Sequence, residues 1–137
     1  MTRQDLIDCY VGLLKEVGLM PHHMHVVAGG SMLLHGLREQ TDDIDTTVNE
    51  AVYAKIKSKL PKWAMYEDLA HPSGLKVLSV GPFDIHCMSH CVDDVVVIDG
   101  VACQSLRDVL RLKERFNRPK DQGDIERIRK HLMGMKV

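Results

Sequence analysis

The sequence predicts an α/β fold of the α+β type, a twisted mixed β-sheet with helices packed mainly on one face. Three observations predict it. Residues 26–48 read as a strand, a glycine turn, a short helix and a second strand. Residues 75–88 alternate as two strands around the turn Gly81-Pro82. Apolar residues recur at helical spacing near both ends of the chain, over residues 6–17 and 106–132. With 137 residues, 45% of them hydrophobic, the chain fits one domain, 1–137, with a core of its own.

The first helix opens with Thr2 and Asp5 as a capping box, buries Leu6, Tyr10, Leu13, Leu14 and Val17, and ends at Gly18 and Pro21. A strand follows at Val26-Val27-Ala28, then Gly29-Gly30, with Ser31 capping a helix over 32–37. Asp43-Ile44-Asp45 opens the next strand. Asn49 caps a helix with Val52, Ile56 and Leu60 inward, which Pro61 stops. Residues 63–69 form a short strand on this reading. Residues 75–80 and 83–88 are the two arms of a hairpin. Val95–Ile98 reads as a buried strand, Asp99-Gly100 as a type I′ turn, and 101–103 as the return strand. Ser105 and Asp108 form a second capping box. The helix they open carries Leu106, Val109, Leu110 and Phe116 on its inner stripe, until Asn117-Arg118-Pro119 breaks it. The last helix runs from about residue 120 with Ile125, Ile128 and Leu132 inward.

Chemistry concentrates in 26–48. Gly29-Gly30 lets backbone approach a ligand closely, and a helix N-terminus offers unpaired N–H groups to an anion. The Ser31 hydroxyl is a further phosphate contact on this reading. Residues i and i+2 of a strand share a face, so Asp43 and Asp45 project together while Ile44 points to the core. Like charges held side by side call for an offset, and oxygen-seeking Mg²⁺ or Mn²⁺ is the natural one. Asp84 interrupts an apolar strand pattern, and a half-buried carboxylate needs a partner. Lys113 falls on the inner stripe of its helix, where an ammonium must reach a carboxylate, a phosphate or water.

Gly29-Gly30-Ser31, His35-Gly36, Arg38, Thr41 and Asp43-Ile44-Asp45 together resemble the signature of the nucleotidyltransferase superfamily with the polymerase-beta-like catalytic core. The form with Arg38, Thr41 and the Asp-Ile-Asp strand looks most like the small bacterial and phage branch, including the toxin-type enzymes of abortive-infection systems. Lys113, Arg118, Lys120-Asp121 and Asp124 resemble the element that ends the core in that branch. The resemblance implies a nucleotidyltransferase-like sheet and transfer of a nucleotide from a nucleoside triphosphate to an acceptor hydroxyl or phosphate, with loss of pyrophosphate. It implies Asp43, Asp45 and Asp84 as catalytic residues and as ligands of Mg²⁺ or Mn²⁺. It implies Gly29, Gly30, Ser31, Arg38, Thr41, Lys113, Arg118 and Asp121 as the nucleotide-binding set. The acceptor stays open among tRNA or other RNA, a protein side chain and a small molecule, and a homodimer or a partner protein is compatible with so short a chain.

Two other readings stand beside this one. One takes the chain as a nucleotide-binding regulatory module that performs no transfer. The other takes it as a zinc-stabilised interaction protein, because His86-Cys87 and His90-Cys91 cluster within six residues. An extended strand, however, sends His86 and Cys87 to opposite faces. His22, His23 and His25 form a smaller group. Net charge of −1 announces no general nucleic-acid field. No apolar run reaches the roughly 18 residues of a membrane span, so a cytoplasmic chain with reduced thiols is expected.

Overall fold

The computed structural model describes residues 1–88 and 92–134. Thr2 opens α1 (Arg3–Val17) with a reciprocal capping box: its hydroxyl accepts from Asp5 N–H, and Asp5 accepts from Thr2 N–H at 2.9 Å. Gly18 closes α1 in the left-handed conformation, where a side chain would be strained. Then come β1 (His25–Val26), α2 (Ala28–Leu34), β2 (Ile44–Val48), α3 (Glu50–Lys59), β3 (Tyr66–Asp68), β4 (Val77–Val80), β5 (Phe83–Cys87), β6 (Val95–Ile98), β7 (Val101–Gln104), α4 (Leu106–Phe116) and α5 (Gln122–Leu132). None of these helices is long and apolar enough to cross a membrane.

The strands form one mixed sheet in the order β3-β4-β5-β2-β1-β7-β6. β2 runs parallel to β5 and β1 parallel to β7, while the remaining neighbours are antiparallel. Partners in register share a face. Glu67, Leu78, Ile85, Thr46, Val26 and Cys103 therefore make one row across six strands. That face carries the main core, where Leu6 and Tyr10 of α1 and Val52 and Ile56 of α3 pack on Ile44 and Ile85. The next row, Tyr66, Ser79, Asp84 and Asp45, lies on the opposite face. A second, smaller core joins Met32 and Leu37 to Leu106, Val109 and Ile128, docking α4 and α5 against α2.

Several sequence expectations are corrected. The short helix begins at Ala28 with Val27 as its N-cap, so Ser31 lies inside it and caps nothing. β6 is an edge strand rather than a buried one: it has a single neighbour, and Val97 is 66% exposed. An apolar run cannot distinguish these cases, because exposure depends on sheet order. Phe116 leaves the inner stripe of α4 and is 62% exposed, its ring under the Arg118 guanidinium at 5.4 Å. Ser105 accepts from Asp108 N–H at 3.1 Å, but the Asp108 carboxylate turns to Gln104 and Arg111 and leaves the capping box half made. The type I′ turn is borne out, with positive φ at both Asp99 and Gly100.

Thr46 exposes the cost of one polar atom in this core. It is fully buried, and its hydroxyl has no hydrogen-bond partner among the described residues. Thr46→Val replaces the hydroxyl with a methyl group of similar size and removes that desolvation cost. It should raise stability by about 1 kcal/mol, seen in thermal unfolding as a midpoint higher by roughly 3 °C.

Candidate active site

The parallel pairing of β2 with β5 sets Asp45 directly beside Asp84. Asp43, two residues before Asp45, adds a third carboxylate. Each of the three offers an oxygen, and these oxygens lie within 4.8 Å of one another. Asp43 is exposed, whereas Asp45 and Asp84 are half-buried. Ser79, the antiparallel partner of Asp84, donates its hydroxyl to Asp84 Oδ1 at 3.1 Å. Burial pushes the Asp45 pKa up, the charges of Asp43 and Asp84 push it further, and the nearby His86 and His71 rings pull it partly back. The donors are all carboxylate oxygens, so the cluster fits a hard divalent cation such as Mg²⁺ or Mn²⁺ and offers nothing to a thiophilic one.

A cleft of about 210 Å³ opens beside the carboxylates. Gly29, Gly30, Arg38, Thr41, Asp43 and Asp45 form one part of its wall, and Lys113, Arg118, Lys120, Asp121 and Asp124 form the other. The two sequence segments singled out for their chemistry, 29–45 and 113–124, thus meet in space. Asp84 joins them through the carboxylate cluster.

Packing leaves no room for a side chain at Gly30, whereas at Gly29 one would have to displace the end of Arg38. A Cβ on Gly29 would lie 2.6 Å from Arg38 Nη1, and a Cβ on Gly30 would lie 2.7 Å from Val26 Cγ1. Thr41 is buried and donates its hydroxyl to the Asp43 carbonyl at 3.1 Å, holding the segment that leads into β2. Ser31 departs from expectation: it is fully buried, and its hydroxyl donates to the Val26 carbonyl at 2.8 Å. Its side chain ties α2 to β1 and does not face the cleft.

The basic wall is internally paired. Lys113 Nζ lies 3.4 Å from Asp121 Oδ1 and 3.3 Å from Asp124 Oδ2. Arg118 clasps Asp121 through Nε at 2.7 Å, and Arg38 reaches Asp124 at 2.8 Å. The Arg118 hydrogen bond is the main reason that the Asp121 pKa is lowered, against the effect of burial. Burial would raise the Asp124 pKa, but the Arg38 hydrogen bond and the Arg38 and Lys113 charges outweigh it and lower it. Both carboxylates therefore stay ionised, and Lys113, only 9% exposed, keeps its counter-charge.

Sequence reasoning placed Asp124 beside this element without giving it a site role. It is the partner that ties Arg38 to Lys113, and its position three residues after Asp121, on the same helical face, was the available signal. Gln104 was missed altogether, since nothing in its neighbourhood distinguishes it from a strand-ending polar residue. For the zinc reading, β5 sends buried Cys87 and half-buried His86 to opposite faces, while His90 and Cys91 lie outside the described residues. His22, His23 and His25 line a separate cavity of about 220 Å³ with Thr47 and Asn49. Among the described residues the three aspartates are the one cluster with metal-holding geometry.

The raised Asp45 pKa has a definite sign. Its contribution favours the fold when the carboxyl is protonated and is lost as pH rises through the elevated folded-state value. With chelator present, Asp45→Asn should melt above the unmutated protein at pH 7, and that advantage should shrink as pH falls toward the ordinary carboxyl value of 3.8. Added Mg²⁺ should raise the midpoint of the unmutated protein more than that of the variant. Scanning fluorimetry across pH, with and without Mg²⁺, reads both effects.

Comparison of the chain with protein-family models, with curated proteins and with solved structures finds no match.

Proposed function

We propose that this protein is a metal-dependent nucleotidyltransferase that moves a nucleoside monophosphate from a nucleoside triphosphate to an acceptor hydroxyl or phosphate. One observation carries the reading: Asp43 and Asp45, which converge with Asp84, share a cleft with Arg38 of their own segment and with Lys113 and Arg118 from the far end of the chain. The resemblance of both segments to the polymerase-beta-like superfamily supports the same reaction class.

Asp43, Asp45 and Asp84 would hold Mg²⁺ or Mn²⁺, and when bound the metal would stabilise charge on phosphoryl oxygens. The chain's own groups do the rest. Arg38, Lys113 and Arg118 supply positive charge to the triphosphate, exchanging part of their pairing with Asp121 and Asp124 for phosphate oxygens. Gly29 and Gly30, in the first turn of α2 rather than in a loop, add no side chains to the cleft wall, so the phosphates approach the main chain there. Asp84, with Oδ1 held by Ser79, would complete the metal site or take the proton of an acceptor hydroxyl. The acceptor oxygen then bonds to the α-phosphorus, the bond to the bridging oxygen breaks, and pyrophosphate leaves. Arg38 and Lys113, both in the cleft wall, would offset this leaving charge.

Incubating the protein with each labelled nucleoside triphosphate and a cell lysate tests the activity, and labelled acceptor identifies its class. Asp43→Asn should abolish Mg²⁺-dependent label transfer while circular dichroism stays native, because it removes mutual repulsion and no packing. Asp84→Ala should lower single-turnover transfer by a factor of about 10² or more. Transfer at the unmutated rate in either variant would sink the site assignment.

Lys113→Met separates a nucleotide contact from a structural ion pair. It keeps the bulk of the stem, and Arg118 and Arg38 still neutralise Asp121 and Asp124. Titration calorimetry with a non-hydrolysable triphosphate should show binding weaker by about 2 kcal/mol, with an unfolding midpoint equal or higher. Unchanged affinity with a large loss of stability would confine Lys113 to the ion-pair network.

A further inference from the structure

We infer that Gln104 is a positioning residue of the cleft: it clamps both ends of α2 and so holds the left-handed turn from which Gly29 and Gly30 form the phosphate-facing wall. The nucleotide part of this inference rests on the proposed function, whereas the clamp itself is read from the fold. Ala28 has φ of 55°, a conformation that an L residue with a Cβ adopts at a cost. Such a residue persists only where its surroundings over-determine it. Here they do. Val27 N–H donates to the Asp45 carbonyl at 2.9 Å, and Ala28 N–H donates to Gln104 Oε1 at 2.8 Å. α2 has seven residues and no side-chain N-cap, too short to be stable by itself. Its C-cap residue, His35, donates from Nε2 to the Gln104 main-chain carbonyl at 2.9 Å. One residue of β7 thus ties down the start of the helix through its side chain and the end through its backbone.

The direction of the Gln104 amide is not free. Gln104 is 1% exposed, and its Nε2 donates to Asp108 Oδ2 at 3.0 Å. A carboxylate only accepts, so the NH₂ must face Asp108, which leaves Oε1 for Ala28 N–H. Asp108 is itself buried and held: Arg111 donates to its Oδ1 through Nε at 3.0 Å and Nη2 at 2.7 Å. Asp93 N–H donates to its Oδ2 at 3.2 Å. Each link from Arg111 through Asp108 and Gln104 to Ala28 is hydrogen-bonded, and the buried members polarise one another. A buried glutamine needed only for stability would be satisfied anywhere; this one ends on the strained residue of the cleft wall.

Gln104→Met keeps the length and removes the acceptor. Gln104→Asn keeps an amide beside Asp108 but is one methylene too short to reach Ala28, and serves if the methionine variant does not fold. Ala28→Gly added to either variant supplies a residue that takes positive φ without strain. Amide exchange by NMR should show Ala28 N–H protected in the unmutated protein and exchanging at least about tenfold faster in the single variants. Affinity for a Mg²⁺-bound non-hydrolysable nucleoside triphosphate, measured well below the unfolding midpoint, should fall about tenfold and recover in the Ala28→Gly double variant. Unchanged Ala28 protection overturns the clamp, and lost protection with unaltered affinity overturns the positioning role. If the unmutated protein binds no triphosphate, the nucleotide reading fails, and Gly29 and Gly30 amide shifts then decide the clamp. Shifts displaced by the single variant and restored by Ala28→Gly support it; shifts that stay displaced overturn it.

Discussion

Two carboxylates stand side by side in this protein because the main chain puts them there. The β2–β5 ladder pairs Asp45 with Asp84 through backbone bonds that are indifferent to side-chain charge. Neighbouring pairs in the same ladder, Ile44 with Phe83 and Thr46 with Ile85, belong to the core face and cannot slip by one residue without turning apolar side chains outward. Burial of Ile44, Phe83 and Ile85 therefore enforces the proximity of Asp45 and Asp84. The cost appears as a raised pKa at Asp45, where burial acts together with two neighbouring negative charges.

The basic wall of the cleft behaves differently. Lys113, Arg118 and Arg38 neutralise Asp121 and Asp124 in a network that needs no ligand to be satisfied. Among the described residues the three carboxylates form no ion pair of their own: Asp84 accepts from the neutral Ser79 hydroxyl, and the His86 and His71 rings only partly offset the charge at Asp45. One wall is charge-balanced, whereas the other gathers three carboxylates in a geometry that could hold a cation. A small apolar core makes the two walls face each other. Met32 and Leu37 pack on Leu106, Val109 and Ile128, and that contact docks the α4–α5 pair against α2. The positions of Arg38 and Lys113 thus depend on apolar packing close by in the chain, at Leu37 next to Arg38 and at Val109 one helical turn before Lys113.

Much of the fold was legible in the sequence because it rests on local signals. Capping residues Thr2 and Asn49, the stop at Gly18, the positive-φ turn at Asp99-Gly100 and the alternation of Phe83, Ile85 and Cys87 with Asp84 and His86 each act over a few residues. The misses share a cause. Val97 and Phe116 are apolar yet exposed, since exposure follows from sheet order and from where a helix ends against its neighbour. Ser31 sits beside the glycines and looks free to meet a ligand, yet β1 takes its hydroxyl.

The candidate site divides along the same line. Residue types and spacing alone determined that Asp43 and Asp45 share a face, that Asp84 needs a partner on its own strand face, and that Lys113 must reach an opposite charge from an inward position. These follow from strand and helix periodicity, which the chain carries with it. The tertiary structure decided the rest: that Asp84 comes to Asp45 rather than to a cation, that Lys113 rests between Asp121 and Asp124, that Arg38 lies over Gly29, and that Gln104 reaches Ala28. Two of these contacts, Asp45 with Asp84 and Ala28 with Gln104, join residues dozens of positions apart. Such contacts are set by strand order and helix docking, and those depend on how the whole apolar surface is buried rather than on any local pattern.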